Sequence, residues 1–392
     1  MRPRCGLVST CCLLLASCAG VAPDPESASI DDLAVVTLDA DAEAALRTAE
    51  REAVAAVEQR SYGDAALAAQ DALGRDPRSA RARAVLAMVA LHRASEQDPI
   101  EWRGLRSGES QLALAQQLAP DDALVGRMHA EFLAETGHTS AAARAAEEAL
   151  ERCADAPDEE RAALLGVAAT YRYELGEERA ALPHLRAYVA LRPADAAAHF
   201  RLGACLLVIA RTPQGVPPPY RRAQAEAQES ARAFARCLEL APEDEDAALS
   251  IATARLRAAE LARLDRGRAR DEREADAAAL EQQALDHLRS MADRFADSAE
   301  ARFRLGVVAA LLEEQELAQA SYRAALERDA EHVGSLLNLA AIESSRGERA
   351  AARALLERAL AADGRLPQLS GPERRRITEW LAAPAESPAA GG

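Results

Sequence analysis

The chain has 392 residues, with 47 basic and 63 acidic side chains and a formal net charge of -16. Alanine and arginine dominate the composition, lysine is absent, and Asn338 is the only asparagine. Nucleic-acid phosphates require a basic face, so a chain this acidic argues against a nucleic-acid partner and suits a solvated, self-repelling surface.

The first segment is a short apolar run behind a basic start. Arg2 and Arg4 precede residues 7–15, which are apolar apart from two hydroxyl residues. Nine residues are too few to cross a bilayer, which takes roughly 20. A basic start, a short apolar centre and small residues are typical of a secretory signal peptide, which we predict over residues 1–17.

This segment ends in Leu15, Ala16, Ser17 and Cys18. These four residues resemble the lipobox of bacterial lipoproteins, in which the cysteine is acylated and becomes the first residue of the mature chain. The resemblance implies an acyl anchor at Cys18 that holds the protein to a membrane without spanning it. Ala19 follows, and by the enterobacterial sorting rule we expect the periplasmic face of the outer membrane. The alternative is an ordinary signal peptide with an incidental cysteine.

Residues 18–45 are acidic, contain Pro23 and Pro25, and are predicted to form a tether. Without residues 1–17 the chain keeps 45 basic and 63 acidic side chains, a net charge of -18. Three further cysteines stand at 153, 205 and 237. An oxidising envelope permits a disulfide, but the odd count and the absence of metal-ligand spacing favour small buried side chains.

The C-terminal half contains an internal repeat with a period of 34 residues, most visible between residues 299–332 and 333–366. Each copy has apolar residues at helical spacing, a polar turn and a second such run. The matching positions are Leu305 and Leu339, Ala318 and Ala352, Tyr322 and Leu356, Ala325 and Ala359, and Leu326 and Leu360.

The pattern of Leu305, Gly306, Ala318, Tyr322 and Ala325 resembles the tetratricopeptide repeat. The resemblance implies an all-α fold, in which antiparallel helix pairs stack into a right-handed superhelical solenoid. Small residues let the two helices approach closely, and the aromatic fills the gap against the next pair.

The same register extends toward the N-terminus, where prolines close the second helices and glycines occupy the turns. It predicts about eight helix pairs over residues 46–366, a capping helix over 367–383 with Trp380 against the last repeat, and a loose tail over 384–392. The closing prolines are Pro77, Pro120, Pro193 and Pro242, and the turn glycines are Gly137, Gly176 and Gly347.

Extra residues interrupt this register at three places. Residues 95–103 are predicted to lie between two helices, and residues 211–220 contain four prolines that forbid an internal helix. Residues 264–274 alternate acidic and arginine side chains, which predicts a solvated helical extension and not a basic patch.

We find none of the motifs that mark a phosphate loop, a zinc protease, a thiol redox site or a nucleophile elbow. The seven histidines are scattered, with no pair at one-turn spacing. We therefore expect no enzyme activity, cofactor or metal. The main hypothesis is a membrane-anchored scaffold for protein partners. Two other functions stay open: an enzyme with a site between helices, and a structural subunit of a secretion, pilus or outer-membrane assembly machine.

The family resemblance implies that the first helices line a concave groove for a protein or peptide partner. Without lysine we do not expect the lysine–asparagine carboxylate clamp of some family members. The hypothesis is that the middle repeats hold an apolar segment and the early ones orient it, although a stripe at helical spacing is also typical of ordinary packing. The register places these residues on the inward side: Met88, His92, Arg127, Glu131, Tyr173, Phe200, Ala204, Leu207 and Phe303.

Overall fold

A computed structural model describes residues 29–96, 102–213 and 219–382. Within these ranges every regular element is helical, which confirms the predicted all-α class. After a 3-10 turn at Ile30–Asp32, the helices fall into two compact units, one up to Leu191 and one from Arg192. The signal peptide, Cys18, residues 19–28 of the tether and the C-terminal tail lie outside the described residues.

The first unit contains four helix pairs. Each helix packs against the next, and the first helices of neighbouring pairs also contact one another. The helices are α1 (Ala40–Glu58), α2 (Tyr62–Arg75), α3 (Ala80–Ser95), α4 (Trp102–Leu118), α5 (Ala123–Glu135), α6 (Thr139–Arg152), α7 (Asp158–Glu174) and α8 (Glu178–Leu191).

The second unit contains four more pairs and a final single helix. Its helices are α9 (Ala196–Arg211), α10 (Tyr220–Leu240), α11 (Glu245–Leu264), α12 (Arg270–Arg294), α13 (Ala299–Leu311), α14 (Gln315–Arg328), α15 (Val333–Ser345), α16 (Arg349–Arg365) and α17 (Gly371–Ala382). Here too consecutive helices pack on one another, so both units are stacks of antiparallel pairs.

A side-chain N-cap starts the first helix of every pair except α7. Asp39 accepts a hydrogen bond from Ala42 N at 2.8 Å, so α1 begins at Ala40, inside the segment predicted as tether. Such caps satisfy backbone N–H groups that have no partner within the helix. The capping residues are Asp39, Ser79, Asp122, Asp195, Asp244, Ser298 and His332.

Five pairs share one tight turn between their two helices. Gly137, Gly176 and Gly347 adopt positive φ there, as their predicted place in the turn requires. Arg60 and Glu313 adopt the same left-handed conformation, with φ of 57° and 62°. In each turn the next residue donates its N–H to a carbonyl five residues back. Two of these turns are therefore strained, because a Cβ disfavours this conformation.

Replacing Glu313 by glycine should raise the stability of the second unit by about 0.5–1 kcal/mol. The left-handed conformation costs a non-glycine residue about 1–2 kcal/mol, and the greater chain entropy of glycine offsets part of this gain. Urea unfolding of the two proteins measures the difference. The control, Gly347→Ala, should lower the stability, and a destabilised Glu313→Gly variant would contradict the assignment of strain.

Glycine–aromatic contacts set the close spacing within the pairs α9–α10 and α13–α14. A Cβ at Gly306 of α13 would lie 2.6 Å from Tyr322 Cε1 of α14, and one at Gly203 of α9 would lie 2.9 Å from the Phe234 ring of α10. In both cases the aromatic ring packs within its own helix pair. Tyr322 also contacts the next pair, because its Oη accepts a hydrogen bond from Asn338 Nδ2 at 3.1 Å. Rings of this size need glycine opposite them for the helices to approach.

The segment 264–274 is only partly the solvated helical extension that the sequence predicts. Helix α11 ends at Leu264, a turn follows, and α12 begins at Arg270. Asp265 accepts hydrogen bonds from Gly267 N at 3.2 Å and from Arg221 Nε at 2.8 Å, which fixes the turn instead of a helix. Aspartate and glycine both favour turns over helix interiors. The central parts of 95–103 and 211–220 lie outside the described residues.

The last helix, α17, is held by a buried aspartate. Asp363 of α16 accepts hydrogen bonds from Gln368 N and Leu369 N, both at 2.7 Å, and from Arg374 Nε of α17 at 2.8 Å. Trp380 faces α15 and α16, and the Arg349 guanidinium lies 5.1 Å from the centre of its ring. The end of the second unit is therefore covered by one amphipathic helix.

The three cysteines in the described part of the chain are buried free thiols. Cys153 Sγ donates to Asp121 O at 3.2 Å, and Cys237 Sγ donates to Asp244 Oδ2 at 3.5 Å. Burial raises the pKa of Cys153, and burial together with Asp244 raises that of Cys237 to about 11. Cys205, fully buried in α9, is the third, so these residues act as small core side chains.

Candidate functional site

The first unit contains a groove, here called the first groove, of about 650 Å³. Its lining comes from the first helices α1, α3, α5 and α7 and from the residue before α7, with no contribution from the second helices. The lining residues are Ala44, Arg47, Thr48, Glu50, Arg51, Val54, Ala55, Glu58, Arg81, Ala123, Leu124, Arg127, Pro157, Glu159, Glu160 and Ala163.

Two arginines tie the walls of the first groove together. Arg81 of α3 donates to Asp122 Oδ2 at 2.6 Å and to Glu160 Oε1 of α7 at 2.9 Å. Arg127 of α5 donates to Glu58 Oε1 of α1 at 2.9 Å. Each guanidinium links helices from different pairs, so the shape of this groove depends on these ion pairs as well as on apolar packing.

Glu131 lies one turn beyond Arg127 on α5, with 3.7 Å between their charged atoms. Burial raises the pKa of Glu131 and outweighs the opposing effect of Arg127. Burial also raises the pKa of Tyr171, together with the negative charge of nearby glutamates. This end of α5 is therefore a partly desolvated acidic region held by one arginine.

The second unit contains a groove of about 620 Å³, here called the second groove. It is lined by α9, α11 and the end of α13, with one residue from α12. Leu264 and Leu311 in this lining are 42% and 56% exposed, so the groove presents large apolar side chains to solvent. The lining residues are Leu207, Arg211, Thr253, Leu256, Arg257, Glu260, Arg263, Leu264, Glu281 and Leu311.

Arginines also hold the second groove. Arg257 donates from Nε and Nη2 to Ala210 O, both at 3.0 Å, and so satisfies a carbonyl at the end of α9. Arg263 forms a two-point ion pair with Glu281, in which Nη2 lies 2.8 Å from Oε2. The rim of this groove is fixed by hydrogen bonds between helices, while its leucines stay open to solvent.

Among the nine predicted groove residues, Arg127 lines the first groove and Leu207 the second. Glu131 is half-buried beside Arg127, and Ala204 is half-buried on α9. Tyr173 is 43% exposed at the end of α7, outside both linings. Single residues of the predicted stripe therefore reach a groove, while the stripe as a whole does not.

Four of the predicted groove residues instead pack between helices, which corrects their assignment. Met88 belongs to the core of the first unit. His92 stacks on Tyr62 of α2, with 3.8 Å between ring centres. Phe200 packs edge to face on the buried Phe234, with 5.3 Å between ring centres. Phe303 lies against Tyr322, His332 and Gly334.

Sequence reasoning missed the residues that define the second groove most clearly. Leu264 and Leu311 end their helices, and Arg211 extends the Phe200–Ala204–Leu207 stripe by one turn. The signal that could have found Arg211 is this spacing of four residues, continued beyond Leu207. The leucines gave no such signal, because a leucine at a helix end is more often a packing residue.

The described helices hold no group of three or more histidine, cysteine or acidic residues arranged to bind a metal ion. Across the same residues, no helix combines the length and the apolar composition needed to cross a bilayer.

No protein-family model matches the chain, and no curated protein does. Solved structures similar to it include MamA residues 41 to the end from Desulfovibrio magneticus RS-1, with 15% identity, a TM-score of 0.38, and coverage of 53% of this chain and 97% of that one. YrrB, a TPR protein with an unusual peptide-binding site, has 16% identity, a TM-score of 0.40, and coverage of 57% and 95%. PilF from Pseudomonas aeruginosa has 15% identity, a TM-score of 0.41, and coverage of 67% and 97%. These likenesses concern the stacking of helix pairs.

Proposed function

We propose that this protein is a scaffold of the bacterial cell envelope that holds polypeptide segments of its partners in the grooves of its two units. The observation that supports this function best is the second groove, where exposed leucines line a cavity whose rim is fixed by arginine contacts. Apolar patches kept open in this way are typical of interaction sites. Burying one leucine contributes roughly 1.5–3 kcal/mol, so a partner that covers Leu264 and Leu311 gains affinity from both.

The proposal includes a membrane anchor. The lipobox-like Leu15–Cys18 places an acyl group at the start of the mature chain, and the tether then separates the membrane from α1. The outer membrane, on its periplasmic face, is the proposed location, because Ala19 and not aspartate follows the cysteine. One acyl chain gives only marginal membrane binding, whereas several chains on one cysteine hold stably.

Changing Cys18 to serine should abolish acylation at the start of the mature chain. The wild-type chain should partition into the detergent phase and carry a blocked N-terminus at Cys18, whereas the variant should stay uncleaved or be released. Detergent phase separation and mass spectrometry of the N-terminal peptide measure both properties. An unmodified mature N-terminus beyond residue 18 in the wild-type protein would rule out the anchor.

Site-specific photo-crosslinking in the native host tests the scaffold. A photoreactive amino acid replaces Leu311 in the second groove or Thr48 in the first. The matched controls are Leu67 and Ala320, exposed residues on the second helices α2 and α14. We expect discrete adducts with other proteins from the groove positions and none from the controls. Equal adducts from both sets, or none from the grooves, would overturn the proposal.

A further inference from the structure

The second groove has an apolar floor and an apolar rim from three different helices. Leu207 of α9 and Leu256 of α11 are half-buried, while Leu264 of α11 and Leu311 of α13 are exposed. The four leucines line one cavity and not separate patches of surface. An occupant must therefore offer at least two apolar side chains on one face.

The charged side chains of the lining differ in whether they form an ion pair. Its two glutamates are each paired with an arginine, Glu260 with Arg257 at 2.5 Å and Glu281 with Arg263. Arg211 is exposed at the end of α9 and pairs with no carboxylate among the described residues. Because Arg257 already binds the carbonyls of Ala210 and Arg211, the Arg211 guanidinium is not needed to cap α9. Arg263 also pairs with Glu274 outside the lining, so Arg211 is the arginine of this groove that is left outside these ion pairs, beside the leucines.

The elements that form the groove decide the conformation of the occupant. An extended peptide gains affinity by pairing its backbone with the open edge of a sheet, and the described chain has only helices. Apart from the last carbonyls of each helix, the backbone groups of α9, α11 and α13 bond within their own helices, so the walls offer mainly side chains. A helical occupant satisfies its own backbone and presents a stripe of side chains, which suits such walls.

We infer that the second groove binds an amphipathic helical segment of a protein partner, whose apolar stripe packs on Leu207, Leu256, Leu264 and Leu311 and whose carboxylate pairs with Arg211. The inference rests on the proposed scaffold function and names the partner chemistry for one of its two grooves. Leucine contacts provide the affinity, and the ion pair selects acidic over basic segments and sets the direction of the helix.

A display selection tests the inference without knowledge of the natural partner. Random 16-residue peptides are selected against the full mature chain and, in parallel, against its Arg211→Glu, Leu311→Ser and Arg346→Glu variants. Arg346 is an exposed arginine at the end of α15, outside the groove lining, and serves as the matched control. Affinities of selected peptides are then measured by fluorescence anisotropy, and their helicity by circular dichroism.

We expect the wild-type chain and the Arg346→Glu variant to select peptides with apolar residues at helical spacing and at least one carboxylate. The Arg211→Glu variant should bind these peptides about tenfold more weakly and should itself select basic peptides. The Leu311→Ser variant should bind acidic and basic peptides more weakly to an equal extent, because the substitution removes an apolar contact and no charge. The reversal of preference at Arg211 is a readout that a folding defect does not produce.

The inference is overturned if wild-type and Arg211→Glu chains select the same peptides, if selected peptides lack helical spacing, or if no peptide is enriched. The two experiments together distinguish a failure of this inference from a failure of the scaffold function. Crosslinks from Leu311 in cells, together with a selection that shows no charge preference, would leave the scaffold in place and reject only the acidic helix. Peptide binding in vitro without any crosslink in cells would support the groove chemistry and reject the cellular function.

Discussion

Truncating Phe234 to alanine should lower the stability of the second unit by about 3–5 kcal/mol, the usual cost of removing a buried aromatic side chain. Phe234 is 1% exposed, covers the backbone of Gly203, and packs edge to face against Phe200. Gly203 has no side chain that could fill the resulting cavity. Urea unfolding followed by circular dichroism measures the loss.

Two further variants show whether this cost depends on burial. Phe200→Ala removes a half-buried ring and should destabilise the second unit by less than Phe234→Ala. Tyr173→Ala removes a side chain that is 43% exposed and should change stability by no more than about 0.5 kcal/mol. Equal losses for Phe234 and Tyr173 would contradict the packing described for α9 and α10.

Replacing Asp363 by alanine should release α17 from the end of the second unit. The carboxylate binds two backbone N–H groups of the loop before α17 and the Arg374 guanidinium within it. All three partners lose their acceptor together, and α17 has no buried residue of its own to hold it. We expect amide exchange over α17 to accelerate at least about tenfold and the melting temperature to fall.

The matched control is Glu357→Ala, which removes an exposed ion pair with Arg353 in the same helix and should change little. The same carboxylate gives a pH dependence, because the loop N–H groups and Arg374 hold the pKa of Asp363 below its usual 3.8. Its contribution is present above that pH and is lost as the pH falls through the lower folded-state value. Undiminished protection of α17 in Asp363→Ala would show that apolar contacts of Trp380 hold the helix instead.

The sequence predicted the fold correctly at positions where a residue type has a single structural role, such as ending a helix or forming a turn. Pro77 and Pro242 follow helices they cannot continue, and Gly137 stands where a turn requires positive φ. The turns at Arg60 and Glu313 gave no such signal, because the surrounding helices force these residues into a conformation that their side chains disfavour. The start of α1 depended on a single cap, Asp39, within an otherwise polar stretch.

The grooves were less predictable, because helical spacing identifies a face and does not say what covers that face. Phe200 and Leu207 belong to the same predicted stripe, yet Phe200 meets the ring of Phe234 and Leu207 meets a cavity. The difference lies in what each residue contacts: Phe234 of α10 covers Phe200, whereas Leu207 faces the lining that α11 and α13 contribute. The arginine bridges of the first groove join residues as far apart as Arg81 and Glu160 and have no local sequence signature.

In the folded protein the buried thiols of Cys153, Cys205 and Cys237 are nearly inert to alkylating reagents, since a thiol must be both exposed and ionised to react. Each becomes reactive only when its own surroundings open. Because Cys153 lies in the first unit and the other two in the second, the rates at which they are alkylated report the opening of the two units separately. These three cysteines are thus internal probes of local unfolding in the described part of the chain.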